Sequence, residues 1–373
     1  MDGRRIGTAD RGSAQDSDSP VHALLSETDL ELIDALQINP RATWVQLGDV
    51  LGVDPVTVAR RWQRLTSAGE AWATVALGQR QLHTMGVAFL ELDCEAGAAV
   101  EVADSLAGAG HLISVQHVAG SYDLWVLAVA ASLSRLADHL LTDLPQLPGV
   151  RKVRTHMATR VFDASRRWRL RVLGRGSAAA LSPAAAPAES TRPMDDLDRR
   201  LFSALSVDGR TPYPELADQV GTTARTVQRR LARLVATGDI DFRCDLARPL
   251  AGWPAAAVLW LEMPDDLLEA TGRALLDWPE TRTCAAVAGP SNMLLTVGLH
   301  GASDLHPLVT RLRREFPHLG IRDRQVVLRQ SKLYGRVLDA SGRWVRATPV
   351  DPWTLGQATG VSRQVDALPG PGR

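Results

Sequence analysis

One segment occurs twice in the 373-residue sequence, as DLELIDALQINPRATWVQLGDVLGVDPVTVARRWQRLTSAGE at residues 29–70 and as DRRLFSALSVDGRTPYPELADQVGTTARTVQRRLARLVATGD at residues 198–239. At a constant offset of 169, about 15 of the 42 aligned positions are identical, without a gap. The same offset places residues 118–120 (VAG) on residues 287–289, far downstream. Chance similarity rarely keeps its register over such a distance, so the chain is a tandem duplication of one unit.

Each copy of the segment predicts three short helices. Gly52 and its counterpart Gly221 permit a sharp turn after the second helix, because glycine tolerates positive φ. In the first copy Asp54-Pro55 predicts the start of the third helix, with Asp as the N-cap and Pro at the first helical position. Two helices, a glycine turn and a capped third helix are typical of a helix-turn-helix, whose third helix can enter a DNA major groove.

The outward face of the third helix is rich in arginine in both copies. Arginine can bind guanine or phosphate, and glutamine suits adenine. Arg61 and Arg230 lie nearer the buried edge, which assigns them to packing and phosphate contact rather than to base reading. The alternative is a solvated, arginine-rich helix without a DNA-binding role. Because the same arrangement occurs in both copies, the DNA-binding interpretation is favoured. The candidate DNA-binding residues are Thr57, Arg60, Arg61 and Arg64 in the first copy and Arg225, Thr226, Gln228, Arg229, Arg230 and Arg233 in the second.

Charge distinguishes the two copies. The whole chain has 42 basic and 42 acidic residues, so its net charge gives no argument for DNA binding. Residues 29–70 contain four Arg and six acids, a net charge of −2, whereas residues 198–239 contain seven Arg and five acids, a net charge of +2. DNA affinity depends strongly on phosphate neutralisation. We therefore expect the second copy to bind more strongly, and Arg229 and Arg233 to matter more than Arg60 and Arg64.

Each helical segment is followed by a mixed α/β segment. Alternating and helical patterns occur in the order strand, helix, strand, strand, helix, strand, which is the ferredoxin-like βαββαβ motif. The sequence therefore predicts an α+β protein with two copies of a helix-turn-helix domain followed by a ferredoxin-like domain. The predicted elements are residues 87–92, 98–106, 112–118, 124–129, 133–144 and 150–161 in the first copy, and 257–262, 267–276, 283–287, 293–299, 305–316 and 321–328 in the second.

The doubled arrangement resembles the Lrp/AsnC (feast/famine) family of transcription regulators. The resemblance covers nearly the whole chain outside the tails and the linker. It implies DNA binding by the helical units and an α/β domain of the RAM type, which mediates assembly and often binds an amino acid. In the first helical unit the matching residues are an Asp, Leu, Arg, Leu and Gly series between Asp29 and Gly52, followed by Val58, Arg61, Leu65 and Gly69. The second helical unit has their counterparts. In the first α/β domain the matching residues are Gly120, Tyr122, Asp123, Leu147-Pro148-Gly149-Val150 and Thr155.

The same resemblance implies effector-binding residues in the first α/β domain. Gly120, Tyr122 and Asp123 lie at the effector-loop position, and Thr155 on the last strand is a neighbour. A glycine turn exposes backbone N–H groups to a carboxylate, and an aspartate can hold an ammonium group. The alternative for Asp123 is an ordinary turn residue. In the second copy Asn292 replaces the aspartate and Val326 lies near the Thr155 equivalent, so one effector site per chain, or none, is as good a prediction as two.

Composition and turn signals predict the domain boundaries and the tails. Residues 166–193 are rich first in Arg and then in Ala, Pro and Ser, which is typical of a linker; a phosphate-contacting arm is the alternative for the arginines. The predicted divisions are a disordered tail at 1–22, helix-turn-helix domains at 23–72 and 194–242, α/β domains at 80–165 and 253–346, and a mobile tail at 351–373.

No sequence motif supports catalysis. A P-loop, a nucleophile elbow, a Rossmann glycine series and metal-ligand spacing are all missing, and three scattered cysteines form no framework. No apolar run is long enough for a transmembrane helix, and the N-terminus lacks a signal peptide. We therefore expect a cytoplasmic, nucleoid-associated regulator without cofactor or metal, which binds double-stranded DNA, self-associates through its α/β domains and responds to an amino acid. The rival is an interaction or ligand-sensing module of the same fold that does not bind DNA.

Overall fold

The computed structural model describes residues 24–164, 168–183 and 192–355. The first copy begins with helices α1 (Glu27–Ile38), α2 (Trp44–Leu51) and α3 (Pro55–Ser67). Asp54 caps α3, since its carboxylate accepts a hydrogen bond from the backbone N–H of Val56. Gly52 ends α2 in the left-handed conformation, at φ 64°. The predicted helix-turn-helix of the first copy is confirmed.

A strand and a short helix connect this unit to the first α/β domain, which has the predicted βαββαβ order. A further helix follows its last strand. The elements are β1 (Ala71–Leu77), α4 (Gln79–Leu82), β2 (Gly86–Cys94), α5 (Ala99–Ala107), β3 (Leu112–Ala119), β4 (Leu124–Ala130), α6 (Leu133–Asp138), β5 (Val150–Ala164) and α7 (Arg175–Leu181).

The second copy repeats the three helices, the connecting strand and the βαββαβ order, has a 3-10 helix where α4 lies in the first copy, and ends with two short strands. Gly221 ends its second helix at φ 69°, and Thr223 caps its third. Its elements are α8 (Asp196–Val207), α9 (Tyr213–Val220), α10 (Ala224–Ala236), β6 (Ile240–Leu246), β7 (Ala255–Glu262), α11 (Leu268–Leu275), β8 (Thr281–Val287), β9 (Met293–Leu299), α12 (Leu305–Glu315), β10 (Gly320–Leu333), β11 (Arg336–Leu338) and β12 (Trp344–Ala347).

The two α/β domains share one sheet because their last strands each pair with both domains. The first part of β5 pairs with β2 of its own domain, and its end pairs with β8 of the other domain. In the same way β10 pairs first with β7 and then with β3. The result is a closed ring of strands in the order β10, β3, β4, β2, β5, β8, β9, β7 and back to β10.

The two faces of these strands pack against different hydrophobic clusters. Along β2, Val87 and Phe89 belong to the cluster inside the ring, whereas Ala88, Leu90 and Leu92 pack outward against α5 and α6. This alternation follows from the two-residue period of a strand. The inner cluster continues into α8, α9 and α10, so the second helical unit is packed onto the ring.

The connecting strands β1 and β6 join the two helical units. They form a two-stranded antiparallel sheet in which Ala71 lies opposite Leu246 and Leu77 opposite Ile240. Every residue of β1 is buried. Seven residue pairs therefore fix the second helical unit relative to the first.

Two equivalent arginines cross between the helical units. The Nη1 atom of Arg41 donates to the carbonyl oxygen of Gly209 (2.7 Å), and its Nη2 atom donates to that of Thr211 (3.1 Å). Its guanidinium group also lies 4.7 Å from the centre of the Tyr213 ring. Arg41 therefore holds the turn between α8 and α9 of the opposite copy.

Arg210 makes the reciprocal contacts. It donates to the carbonyl oxygens of Pro40 (2.6 Å) and Ala42 (2.9 Å) and stacks 4.0 Å from the centre of the Trp44 ring. Each copy thus supplies the hydrogen-bond donors for the turn of the other copy.

Part of the predicted linker at 166–193, the described residues from 168 to 183, packs against the first helical unit. Trp168 is buried, and Arg169 forms a 2.9 Å ion pair with the fully buried carboxylate of Asp34 on α1. Since a buried carboxylate needs a charged partner, Arg169 is a structural residue and not part of a phosphate-contacting arm. Arg166 and Arg167 lie outside the described residues.

The predicted tails are only partly described. Residues 351–355 pack against the protein: the Trp353 ring contacts Phe202 edge to face at 5.3 Å, and Leu355 is buried. This corrects the prediction of a mobile tail for those five residues. Residues 356–373 and the predicted tail at 1–22 lie outside the described residues.

We predict that Arg210→Ala lowers the free energy of unfolding by about 2–4 kcal/mol, because two carbonyl groups lose charged donors in a partly buried turn. Arg324→Ala, which removes an exposed arginine from β10, should change stability by no more than about 0.5 kcal/mol. Urea unfolding of both variants measures the difference. Equal effects of the two substitutions would show that the crossing arginines do not hold the helical units together.

Candidate DNA interface and ligand sites

The third helix of each helical unit has one buried and one exposed face. In α10, Val227, Leu231 and Leu234 are buried against the core. The intervening positions leave Arg225, Gln228 and Arg229 exposed and Thr226 half-buried. In α3 the corresponding arrangement exposes Arg60 and leaves Thr57 half-buried. The structure therefore puts these six predicted DNA-binding residues on the outward side of the helices.

Arg64 and Arg61 of α3 are engaged within the first unit. The Nη2 atom of Arg64 lies 2.6 Å from the Asp29 carboxylate of α1, and the Nε atom of Arg61 lies 3.8 Å from it. Arg64 also pairs with Glu70 at 3.2 Å. The two contacts with Asp29 fasten the third helix to the first.

The second unit repeats this arrangement. Arg233 bonds to the fully buried carboxylate of Asp198, and Arg230 lies 2.9 Å from the same residue and 2.8 Å from Asp195. Burial alone would raise the pKa of Asp195, but the hydrogen bonds from Arg230 and from the backbone hold it well below its usual range. The Asp195 carboxylate therefore remains charged near neutral pH.

This geometry corrects one expectation and agrees with another. Arg233 does not stand free on the outward face, because the buried carboxylate of Asp198 holds its guanidinium group and only 18% of its side chain is exposed. Arg64 pairs with the buried carboxylate of Asp29, but 52% of its side chain stays exposed. Arg61 and Arg230 lie at the buried edge as predicted, with side chains 25% and 18% exposed. Sequence spacing could not reveal these pairs, since the aspartates lie about 35 residues earlier.

Arginines without an ion pair to any described residue remain on both helices, and the second copy has more of them. Arg60 is the one on α3, whereas α10 carries Arg225 and Arg229. Gln228 is exposed beside them. The difference in net charge between the copies therefore reappears as a difference in available guanidinium groups.

The predicted effector loop is built into the sheet. The Asp123 carboxylate accepts a 2.7 Å hydrogen bond from the backbone N–H of Cys94. In the second copy the amide oxygen of Asn292 accepts the same bond from the backbone N–H of Met263, at 3.0 Å. Because Cys94 and Met263 are equivalent at the offset of 169, the two side chains have the same structural role. The loss of the carboxylate in the second copy therefore leaves the loop intact.

The structure separates the remaining effector candidates. Tyr122 is 3% exposed and belongs to the core inside the ring. Thr155 is exposed and lines an open cleft of about 540 Å³ on the opposite face of the sheet, between α6 and β5. Gly120 is in the left-handed region, at φ 147°. The four predicted residues do not form one site.

Strand pairing also identifies the true counterpart of Thr155. Thr155 pairs with Leu90 and Arg324 pairs with Leu259, and these two leucines are equivalent at the offset of 169. The counterpart is therefore Arg324. Val326, which the sequence comparison placed near it, lies two positions further along the strand.

Sequence reasoning missed a polar cluster beside the effector loop. Arg154 donates to Glu91 at 2.8 Å, to Asp93 at 3.0 and 3.1 Å, and to the carbonyl oxygen of Ser121 at 3.1 Å. The bonds to both carboxylates raise the pKa of Arg154 above its ordinary value. The alternation of Glu91 and Asp93 on a strand was a signal, but their partner lies about 60 residues later.

The cluster continues to the second domain through aromatic residues. The His156 ring lies 4.0 Å from Trp260, centre to centre, and the Trp260 indole donates to the Tyr122 hydroxyl at 3.4 Å. Burial raises the pKa of Tyr122, which stays protonated. Trp260 and Glu91 are equivalent positions of the two copies, so this junction is asymmetric.

Metal and membrane sites are not evident in the described part of the chain. Its His, Cys, Asp and Glu side chains form no group of three that could hold a metal ion. None of its helices has the length and apolar character that crossing a membrane requires.

The fold and the two helical units define a duplicated helix-turn-helix protein with α/β domains. The model of the AsnC-type helix-turn-helix domain matches residues 25–66 and 194–235, and that of the Lrp/AsnC ligand binding domain matches residues 87–168. The HTH-type transcriptional regulator LrpA of Mycobacterium tuberculosis (strain ATCC 25618 / H37Rv) is 32% identical over 126 residues, which cover 32% of this chain and 81% of LrpA. The chain belongs to the Lrp/AsnC family.

The chain is also similar to a second named regulator and to a solved structure of comparable length. The proline dehydrogenase transcriptional activator of Rhodobacter capsulatus is 26% identical over 130 residues, which cover 34% of this chain and 84% of that protein. The crystal structure of the siroheme decarboxylase NirDL covers 87% of this chain and 95% of its own, with a TM-score of 0.54 and 14% identity. At that identity the likeness shows the fold alone.

We predict that Asp123→Asn changes the free energy of unfolding by no more than about 0.5 kcal/mol, since Asn292 makes the same bond in the second copy. Asp123→Ala should lower it by about 1–2 kcal/mol, because the buried N–H of Cys94 loses its acceptor. Thermal unfolding of both variants measures these effects. If the asparagine variant were as unstable as the alanine variant, the carboxylate would have a role beyond this hydrogen bond.

Proposed function

We propose that the protein is a sequence-specific DNA-binding transcription regulator of the Lrp/AsnC type, acting in the cytoplasm, and not an enzyme. The observation that carries the proposal is the pair of third helices, each fastened to its first helix by ion pairs to a buried aspartate while other arginines stay exposed. Ion-paired arginines orient the helix, and exposed ones are available for phosphates and guanine. The relatives named as transcription regulators support the same function.

The proposed DNA contacts are unequal in the two copies. Thr57 and Arg60 would contact DNA from α3, while Arg225, Thr226, Gln228 and Arg229 would do so from α10. Arg61, Arg64, Arg230 and Arg233 would position the helices and contribute charge at their edge. Since each neutralised phosphate adds to affinity, the second unit would be the stronger binder.

We further propose that the chain acts as an intrachain pseudo-dimer. The pairing of β1 with β6 and the crossing contacts of Arg41 and Arg210 support it, because both relate the helical units reciprocally. Two non-identical recognition helices in a fixed relation suit an asymmetric DNA site. Further self-association would use the α/β domains, as the family membership suggests.

We also propose that the protein responds to an amino acid or a related metabolite. The match to a ligand binding domain at residues 87–168 supports it. Among the residues predicted to bind the effector, Thr155 lines the open cleft between α6 and β5. The volume of this cleft, about 540 Å³, is within the range of small-molecule pockets. Gly120, Tyr122 and Asp123 would act through the shape of the loop.

We predict that the double variant Arg225→Ala/Arg229→Ala reduces the salt dependence of DNA binding. Loss of two phosphate contacts lowers the slope of log K against log salt by about 2. Binding to genomic fragments retained by the wild-type chain, measured by fluorescence anisotropy at several salt concentrations, gives this slope. The matched control is Arg313→Ala/Arg314→Ala, which removes two exposed arginines from α12 and should leave the slope unchanged.

A second prediction tests the asymmetry between the copies. Arg229→Ala should weaken DNA binding more than Arg60→Ala, because the second helix presents more charge to the phosphates. The two residues are equivalent at the offset of 169, so the comparison is matched in position and charge. Dissociation constants at one salt concentration decide it, and equal losses would contradict the asymmetry.

The alternative function is a ligand-binding or interaction module that does not bind DNA. The fold it shares with NirDL is consistent with it, since this fold also occurs in a protein named for a reaction on a small molecule, siroheme. The net charge of −2 on residues 29–70 points the same way. Retention of no genomic DNA by protein shown to be folded would replace the regulator proposal with this one.

A further inference from the structure

Arg248 is a shielded cation with little compensation inside the protein. It lies in a short turn after β6, between the second helical unit and the second α/β domain. Its side chain is 12% exposed, and its Nε and Nη2 atoms are both shielded from solvent without a hydrogen-bond partner among the described residues. A shielded guanidinium that lacks hydrogen bonds is costly, so a missing partner is indicated.

The neighbouring carboxylate is already used by another arginine. Asp245 accepts hydrogen bonds from the Nε and Nη2 atoms of Arg243 at 2.7 and 3.0 Å. The Oδ1 atom of Asp245 lies 4.0 Å from the Nη2 atom of Arg248, which is too long for a hydrogen bond. The centre of the Trp168 ring lies 5.7 Å from the Cζ atom of Arg248, which gives a weak cation–π contact. Neither neighbour satisfies the buried N–H groups of Arg248.

Arg248 lies where two cavities meet. The outer one is an open cleft of about 90 Å³, and the inner one is a cavity of about 20 Å³ inside the ring of strands. Both are lined by Arg248, Ala256, Gln330 and Leu333. A single water needs about 15 Å³, so the outer cleft of about 90 Å³ has room for a small molecule larger than water.

Other unsatisfied polar atoms line the same cavities. The Nε2 atom of Gln330 and the Oε1 atom of Gln116 are buried without a hydrogen-bond partner among the described residues. Gln330 lies opposite Gln116 in the pairing of β10 with β3. The amide of Gln330 can donate to the same oxyanion as Arg248, and buried polar groups are normally paired.

The rest of the cleft defines the class of ligand. Its walls include the buried side chains of Leu246, Leu333 and Leu338, which suit an apolar portion. Arg329 adds positive charge on the exposed side. The Asp339 carboxylate also lines the cleft, but it already accepts hydrogen bonds from Ser341 and from the backbone of Arg343. The site is therefore cationic and polar at its inner end and apolar along its walls.

We propose that this cleft binds a small organic carboxylate, whose oxygens accept hydrogen bonds from Arg248 and Gln330. The site is separate from the Gly120–Asp123 loop and from the Thr155 cleft. It does not depend on the DNA-binding function proposed above. A carboxylate pairs with the guanidinium in the shielded interior and places its short apolar chain against the leucines.

The test uses sodium butyrate as the probe and the full-length chain. Thermal unfolding is followed in butyrate, in sodium chloride of equal ionic strength, and in chloride with added butanol. Butyrate should raise the midpoint by about 2 °C for each tenfold increase above its dissociation constant. Chloride and butanol should not. Equal midpoints in butyrate and chloride would overturn the proposal.

Substitution identifies the residue responsible. Arg248→Met keeps the aliphatic volume, removes the charge and leaves Asp245 paired with Arg243. Its midpoint in chloride should equal or exceed that of the wild-type chain, and the butyrate shift should disappear. The control Arg324→Met, an exposed arginine of β10 outside the cleft, should retain the full shift. A lower midpoint for Arg248→Met in chloride would show that the protein already compensates Arg248, and a retained butyrate shift would place binding elsewhere; either result overturns the proposal.

A second variant keeps the proposal testable if Arg248→Met fails to fold. Gln330→Leu removes an amide whose Nε2 atom has no hydrogen-bond partner among the described residues, so we expect it to leave the fold intact. Calorimetric titration with butyrate should show affinity reduced about fivefold to tenfold, as expected for loss of one hydrogen bond. Unchanged affinity would exclude the amide from the site and overturn the assignment.

Discussion

The division of β5 and β10 between two domains is the constraint on which the rest of the structure depends. Each of these strands completes its own domain with its first half and the opposite domain with its second half. Neither domain can therefore close its sheet alone, and unpaired strand edges are avoided because the ring is continuous. The second helical unit packs onto this ring, and the pairing of β1 with β6 joins the first helical unit to the second.

The contacts that join the helices and hold the turns of the chain are repeated in the two copies. The crossing arginines, the ion pairs between first and third helices, and the side chain that holds the loop before β4 and β9 are all present in both copies. By contrast, the exposed arginines of α3 and α10 differ in number, and Glu91 corresponds to Trp260. The two copies therefore share these structural contacts and differ both on the exposed face of the third helix and at one buried junction of the sheet.

Buried arginine is unusually important in this protein. Lysine occurs only twice in the sequence, and many guanidinium groups hold backbone carbonyls or aspartates inside the protein rather than lying on its surface. Burial lowers the pKa of Arg210 to about 10 and that of Lys332 to about 7. The planar guanidinium can donate several bonds in a fixed geometry, which explains how two residues such as Arg41 and Arg210 can each hold a whole turn. It also means that an arginine in a recognition-helix pattern need not face DNA.

The sequence alone determined the duplication, the three-helix units with their caps and glycine turns, and the βαββαβ order, because all of these depend on neighbouring residues and on periodicity. It also identified Arg60, Arg225 and Arg229 as outward residues. The tertiary structure alone decided that Arg64 and Arg233 are held by aspartates, that Asp123 supports a strand, that Tyr122 and Thr155 lie on opposite faces, and that Arg248 meets a cavity. Those facts depend on partners 30 to more than 100 residues away or on the opposite copy, and the chain brings such partners together only when the ring of strands closes.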